Sequence, residues 1–152
     1  SLSKIVICHL GSGASVTALY NGKSIDTTMG YSPNEGMLMS TRSGTVEFSA
    51  GLALAKQKNM SPDDLASELQ LTAGLLGISG SSDDIRELLK KESAGDHRAE
   101  LALCMYVYSA RQAIARMVAT LEGVDMIVFT GTVGQRSVIM RQRIVDGLGY
   151  LQ

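Results

Sequence analysis

The sequence predicts an α/β fold, a mixed sheet that opens with a three-stranded β-meander and is flanked by helices. Three observations in its 152 residues lead there. β-branched and alternating runs crowd the N-terminal stretch and are joined by tight-turn signals. A long stretch after Asp96 repeats apolar residues at spacings of three and four, the mark of an amphipathic helix. Between that helix and a second glycine turn lies Met126-Ile127-Val128-Phe129, wholly apolar and read as a short strand.

The first strand is read from Ile5 to Cys8 and stops at His9-Leu10-Gly11-Ser12-Gly13. Ala14 to Tyr20 forms the second strand, Asn21-Gly22 supplies the two residues with φ > 0 that a two-residue hairpin needs, and Lys23 to Thr28 returns as the third. A dinucleotide-binding fingerprint is excluded, because Gly11-x-Gly13 runs into Ser15-Val16-Thr17 rather than a helix and lacks the third glycine. Gly30 to Gly44, dense in Gly, Ser, Thr, Asn and Pro around Met37-Leu38-Met39, reads as a long ordered loop of the kind that often carries function. Phe48 to Lys58 is the first helix. The second begins with Ser61 at the N-cap, Pro62 in the first turn and Asp63-Asp64 behind it, with Leu65 and Leu69 as its apolar stripe. Past the glycine-broken run Gly74 to Gly80, Ser82 is expected to cap a short helix with Ile85, Leu88 and Leu89 inward. Asp96 caps the longest helix, whose stripe runs through Leu103, Tyr106, Val107, Ala110, Ala113, Ile114, Met117, Val118 and Leu121 and ends near Gly123. After the short apolar strand, Thr130-Gly131-Thr132-Val133-Gly134 leads into a last helix from Gln135 to Asp146.

Composition narrows the class. With 45% hydrophobic and 19% charged residues, and 16 Gly against 2 Pro, the chain reads as one globular domain over residues 1–152 rather than a disordered, collagenous or coiled-coil sequence. A net charge of -1 argues against nucleic acid as a partner. Cys8 and Cys104 stand far apart and form no Cys/His cluster, so neither a zinc site nor a disulfide framework is signalled and a reducing, cytoplasmic setting is expected. No apolar run approaches a membrane span and no secretory leader pattern is seen, so no membrane partner is expected. The eight methionines are read as core filler.

Two strands end in small glycine-rich turns, His9 to Gly13 and Thr130 to Gly134. In α/β sheets ligands gather beyond the carboxyl ends of strands, and glycine lets backbone N–H groups approach phosphate oxygens, so the two turns suggest two walls of one nucleotide cleft. The plain alternative is that each glycine only makes a tight turn. Read alone, Arg42 fits a loop-bracing ion pair. His9 fits a general base or a hydrogen-bonded structural residue, and Asp84 with Arg86 fit a ligand contact or a charged surface. His97, in the first turn of a helix, is expected to be solvated.

Read together, His9-Leu10-Gly11-Ser12-Gly13-Ala14-Ser15-Val16, Asn21-Gly22-Lys23-Ser24, Asp26-Thr27-Thr28-Met29-Gly30, Pro33-x-Glu35-Gly36 and Thr41-Arg42-Ser43-Gly44 closely resemble the signature run of acetate kinases. The likeness continues through Gly74 to Gly80, Ser82-x-Asp84-x-Arg86, the long helix and Phe129-Thr130-Gly131, and so covers essentially the whole chain. It implies an actin-like, ribonuclease H-like ATPase domain that corresponds to the second, C-terminal half of such an enzyme. It further implies transfer of the γ-phosphate of ATP to acetate, giving acetyl phosphate and ADP.

By that resemblance His9, Leu10, Gly11, Ser12 and Gly13 form the phosphate loop, and Asp84, Ile85 and Arg86 the adenosine side. Thr132, Val133, Gly134, Gln135 and Arg136 form a second nucleotide loop, and Arg42 is the catalytic residue that stabilises the transition state. Mg2+ is implied with ligands mainly outside this chain, so no metal ligand is assigned here. A homodimer formed largely along the long helix is implied as well. Because the other half and the late magnesium-binding Glu segment of the family have no counterpart in these residues, the chain alone is expected to make no acetyl phosphate. Two departures from the family pattern stand out. Thr132 adds a side chain where glycine is usual, and Arg136 puts a cation where asparagine is usual. Three more are milder: Ser12 for Asn, Ser40 for Gly and Thr45 for Asp. A diverged non-catalytic nucleotide-binding or dimerisation module, and a propionate or butyrate kinase, are the alternatives.

Overall fold

A computed structural model describes residues 3–151. Its strands are β1 (Lys4–Leu10), β2 (Ala14–Tyr20), β3 (Lys23–Thr27) and β4 (Met126–Thr130). Its helices are α1 (Phe48–Lys58), α2 (Pro62–Leu71), α3 (Gly74–Ser79), α4 (Ile85–Ser93), α5 (His97–Leu121), α6 (Gly131–Arg136) and α7 (Val138–Val145), followed by a 3-10 turn at Gly149–Leu151. The strands form one mixed sheet in the order β3-β2-β1-β4, with β1–β2 and β2–β3 antiparallel and β1–β4 parallel.

The meander forms as its turn residues require. Asn21 and Gly22 take φ of 49° and 77°, both in the left-handed region that a two-residue hairpin uses. A bulge interrupts the β2–β3 ladder: Ala18 faces Asp26 and Leu19 faces Ser24, which leaves Ile25 unpaired and exposed. Alternation along β1 and β2 sends Val6, Cys8, Leu10, Ala14, Val16 and Ala18 to one face, where all are fully buried. α5 lies over that face with Leu103, Tyr106, Ala110, Ile114 and Met117 inward, and every residue of its expected stripe is buried. Asp96 caps it, accepting from the amides of Arg98 and Ala99 at 2.9 and 3.1 Å. Burial pushes the Cys8 thiol up to about 12, so it acts as a small core hydrophobe and not as a nucleophile.

Several local expectations need correction. The run Gly74 to Gly80 is not merely a broken linker. Its first six residues make α3, because the first-turn amides of Leu75 and Leu76 donate to the carbonyls of Met39 and Ser40 at 2.9 and 3.0 Å. α4 is capped by Asp84 rather than Ser82, whose hydroxyl instead accepts from the Asp84 amide at 3.1 Å. The expected last helix is two helices broken at Ser137, and its upstream piece, α6, begins at Gly131 inside what reads as a turn. Ser137 takes φ of -96° and ψ of 93°, and its hydroxyl starts α7 by accepting from the Met140 amide at 3.3 Å. α2 has the predicted cap, with Ser61 and Asp64 bonded reciprocally, but no residue of it is fully buried, so Leu65 and Leu69 are only half-covered. β4 is likewise half-covered. Its apolar sequence suits the middle of a sheet, yet it stands at the edge of the sheet formed by the described residues.

The Asp84 cap carries a pH signature. The Arg86 guanidinium, donating to the Asp84 carboxylate at 2.5–3.2 Å, chiefly holds that carboxyl at about 2 against an ordinary 3.8. Since the folded value lies below the unfolded one, the stabilisation is complete above about pH 4 and is lost as pH falls through about 2. Thermal melts should therefore show a steeper loss of Tm between about pH 4 and pH 2 for the natural chain than for Asp84→Asn. Parallel curves would assign the acid sensitivity to other groups.

Candidate functional site

The parallel pairing of β1 with β4 brings the two glycine turns together. The register runs from Ile5 opposite Met126 to His9 opposite Thr130, so both strands end side by side at one sheet edge. Gly131 locks the turns against each other. With φ at 78°, a Cβ on it would stand 2.4 Å from the Leu10 carbonyl oxygen, and only glycine lets the second turn rest on the β1 backbone.

A cavity of about 550 Å³ opens above this junction. Gly11 and Ser12 form one wall, and Thr132, Val133 and Arg136 form the facing one. Asp84, Ile85 and Arg86 close the third side. These are eight of the residues expected on the nucleotide. Ser40, Asp83 and Ser137 also line the cavity and were not among the expected contacts. Asp83 and Ser137 each adjoin an expected contact, and Ser40 is one of the departures from the family pattern, so that position was the available signal. The remaining expected residues lie around the cavity rather than on its wall. Leu10 is fully buried, and its backbone carries Gly131. Gly134 is buried and Gln135 exposed, and their carbonyls both accept from Arg141 Nη1 at 2.8 Å. His9 stands exposed at the strand end, with Nδ1 3.0 Å from Thr130 Oγ1. Gly13 faces Arg42: a Cβ on it would lie 3.2 Å from Arg42 Nη1.

Arg42 thus lies against the end of the first glycine turn. Its Nη1 donates to the Pro33 carbonyl at 3.2 Å, and no carboxylate pairs with it among the described residues. The ion-pair reading of Arg42 has no support here. Its loop is held by backbone bonds on several sides. The Ser40 amide donates to Ser12, the Ser43 amide to Leu69, and the Met39 amide to Arg42 itself. Ser40 adds a side-chain tie, donating through Oγ to the Asp83 carbonyl at 3.2 Å. Within the cavity, Asp84 and Arg86 neutralise each other, whereas Arg136 is exposed and has no carboxylate partner among the described residues. The cavity wall therefore carries one guanidinium, Arg136, and one carboxylate, Asp83, without an ion-pair partner among the described residues, while Arg42 stands off the wall against Gly13 of the first glycine turn. No three His, Cys, Asp or Glu side chains converge into a preformed metal cage among the described residues. Among the described residues, no helix is long and apolar enough to cross a membrane.

The same fold and sequence recur in known proteins. The chain matches the Acetokinase family over residues 2–152. It is 45% identical over 148 residues to an acetate kinase of Dictyoglomus thermophilum and 44% identical over 147 residues to one of Microcystis aeruginosa. Each alignment takes in 97% of this chain and 37% of the relative, so the chain spans little more than a third of their length. The crystal structure of Porphyromonas gingivalis acetate kinase superposes with a TM-score of 0.95 at 34% identity, over 98% of this chain and 37% of that one. A propionate kinase from Francisella tularensis gives 0.93 at 33% identity, over 99% and 39%. A Listeria monocytogenes protein described as a putative N-acetylmannosamine kinase, at 13% identity and a TM-score of 0.55, shares the fold alone. The mixed four-stranded sheet with flanking helices is that of an actin-like ATPase fold, and by sequence and structure together the chain belongs to the acetokinase family.

Proposed function

We propose that this chain, as one domain over residues 1–152, supplies the nucleotide-binding half of a kinase that phosphorylates a short-chain carboxylate with ATP. In that reaction a carboxylate oxygen forms a bond to the γ-phosphorus, the bond from that phosphorus to the β–γ bridging oxygen breaks, and ADP leaves with the electron pair. The observation that carries the proposal is the juxtaposition of the two glycine turns around one cavity, with an unpaired Arg42 against the first turn. The first turn receives the phosphates, Asp84 to Arg86 flank the adenosine, and Arg42 meets charge that builds up on the transferring group. Magnesium, which would offset charge on the transferring phosphates when bound, would take its protein ligands mainly outside these residues. The two free cysteines suit a reducing setting such as the cytoplasm.

Acetate is the acceptor that most relatives' names indicate, and the Francisella propionate kinase keeps propionate as the second reading. A homodimer along α5 is part of the proposal. Leu101, Met105 and Tyr108 stand exposed at spacings of four and three on its outer face, an apolar stripe that solvent leaves uncovered.

Calorimetric titration of this chain with ADP tests the nucleotide assignment. Binding is expected to weaken as salt rises, and Arg136→Asn should weaken it several-fold while flattening the salt dependence, as for a phosphate-paired cation. Tighter binding in Arg136→Asn would make this residue an obstruction. In that case Thr132→Gly is the companion, since relief of a steric intrusion helps at every salt concentration. No change in either variant would remove the second turn from the nucleotide site.

A further inference from the structure

We infer that Thr130 is a positioning residue for His9, and that its hydroxyl makes Nε2 the ring N–H that faces the phosphate end of the cleft. The inference rests on the nucleotide reading of the cavity. His9 and Thr130 are cross-strand partners at the ends of β1 and β4, and Nδ1 lies 3.0 Å from Oγ1. A second observation is independent of that distance. Thr130 occupies the N-cap of α6, where a threonine hydroxyl ordinarily accepts from an amide of the first turn, yet it makes no such bond. The hydroxyl is turned away from the helix and onto the imidazole. Local rules of this kind are expected to give way where geometry serves a ligand. The opposite ring nitrogen lies beside the first glycine turn: Nε2 is 3.5 Å from where a Cβ on Gly11 would stand.

The chemistry of the partner decides what His9 is able to do. A carbonyl in place of Thr130 Oγ1 would only accept, so a neutral ring would keep its proton on Nδ1 and present Nε2 as a lone pair, repelled by phosphate oxygen. A hydroxyl works in both directions. It is able to donate to Nδ1 of the neutral Nε2–H tautomer and to accept from Nδ1–H of the charged ring, and an anion ahead of Nε2 disfavours the remaining Nδ1–H tautomer, whose Nε2 lone pair would face it, so that in both states Nε2 carries a proton. His9 is then a hydrogen-bond donor to an anion whichever protonation state it occupies.

The chain contains two histidines, so selective 15N labelling of imidazoles gives a readable spectrum, with His97→Gln identifying His9. At about pH 9, where an ordinary imidazole is neutral, the natural chain and Thr130→Ser should show His9 wholly as the Nε2–H tautomer. Thr130→Val and Thr130→Ala, which lack the hydroxyl, should show exchange between the two tautomers. ADP affinity should fall by roughly 3–10-fold in both hydroxyl-free variants and return in Thr130→Ser, as for one lost hydrogen bond. An Nδ1–H tautomer in the natural chain overturns the inference, and that spectrum decides it even where the variants do not fold. Unchanged tautomers with ADP binding intact would overturn the positioning role and leave the nucleotide reading standing. Absence of ADP binding by the natural chain would overturn the nucleotide reading, and with it the role of His9 toward phosphate.

Discussion

In a full-length kinase carrying this segment, Arg42→Ala is expected to lower kcat by roughly 10³-fold while leaving the nucleotide KM nearly unchanged, because the lost interaction belongs to the transition state. The geometry explains the size. Among the described residues the guanidinium has only a carbonyl and the Met39 thioether as partners, so its charge is not spent on a carboxylate there. It is also held in advance. The loop around it is bonded to the first glycine turn through Ser40, to α2 through Leu69 and to α3 through Leu75 and Leu76, so little rearrangement is needed when charge develops. Arg42→Lys should recover only part of the rate, since a point charge lacks the planar fork that holds two oxygens at once. Steady-state kinetics in both substrates check this. A raised KM for ATP with kcat preserved would make Arg42 a binding residue and refute its assigned role.

Gly131→Ala should lower the unfolding free energy of the chain by about 3 kcal/mol, from left-handed strain of about 1–2 kcal/mol and a steric conflict besides. The conflict is with main chain. The added Cβ would lie 2.4 Å from the oxygen and 2.7 Å from the carbon of the Leu10 carbonyl, in a strand paired on both sides. Relief has to come from parting β1 and the second turn, so ADP binding should be lost along with stability. Gly149→Ala provides the control: among the described residues nothing lies within 4 Å of its Cβ position, and a change within about 0.5 kcal/mol is expected. Urea unfolding with a common m value measures both. Equal midpoints for the two variants would show that the contact between the turns does not stabilise the fold.

Features written in side chains were readable before the structure. The Asn21-Gly22 hairpin, the Ser61 and Asp96 caps and the inward stripe of α5 each rest on local chemistry that needs no distant partner. Features written in the backbone were not. α3 is started by the carbonyls of Met39 and Ser40, far away in sequence and without any side-chain mark. Ser82 and Asp84 are both good capping residues two positions apart, and only the bond of Asp84 to the Arg86 amide tells them apart. The site divides in the same way. The two turns and Arg42 carry a legible motif, whereas Ser40 reaches the cavity because its loop folds across Ser12. The His9–Thr130 contact depends on the register of two strands more than a hundred residues apart, which no local pattern specifies.

That register also limits how the cleft is free to change over descent. Side chains alternate faces along a strand, so a single insertion within β1 would put the residues on either side of it out of phase and turn part of the Val6, Cys8 and Leu10 set out of the core, and one within β4 would unmate Thr130 from His9. Length variation is therefore barred from the strands. Substitution at the turn tips is not, because Thr132 and Arg136 are exposed and belong to no core cluster. The scaffold thus separates what must stay fixed from what is free to drift, and a lineage is able to change these two positions on the cavity wall without repacking the interior or altering the distance between the walls.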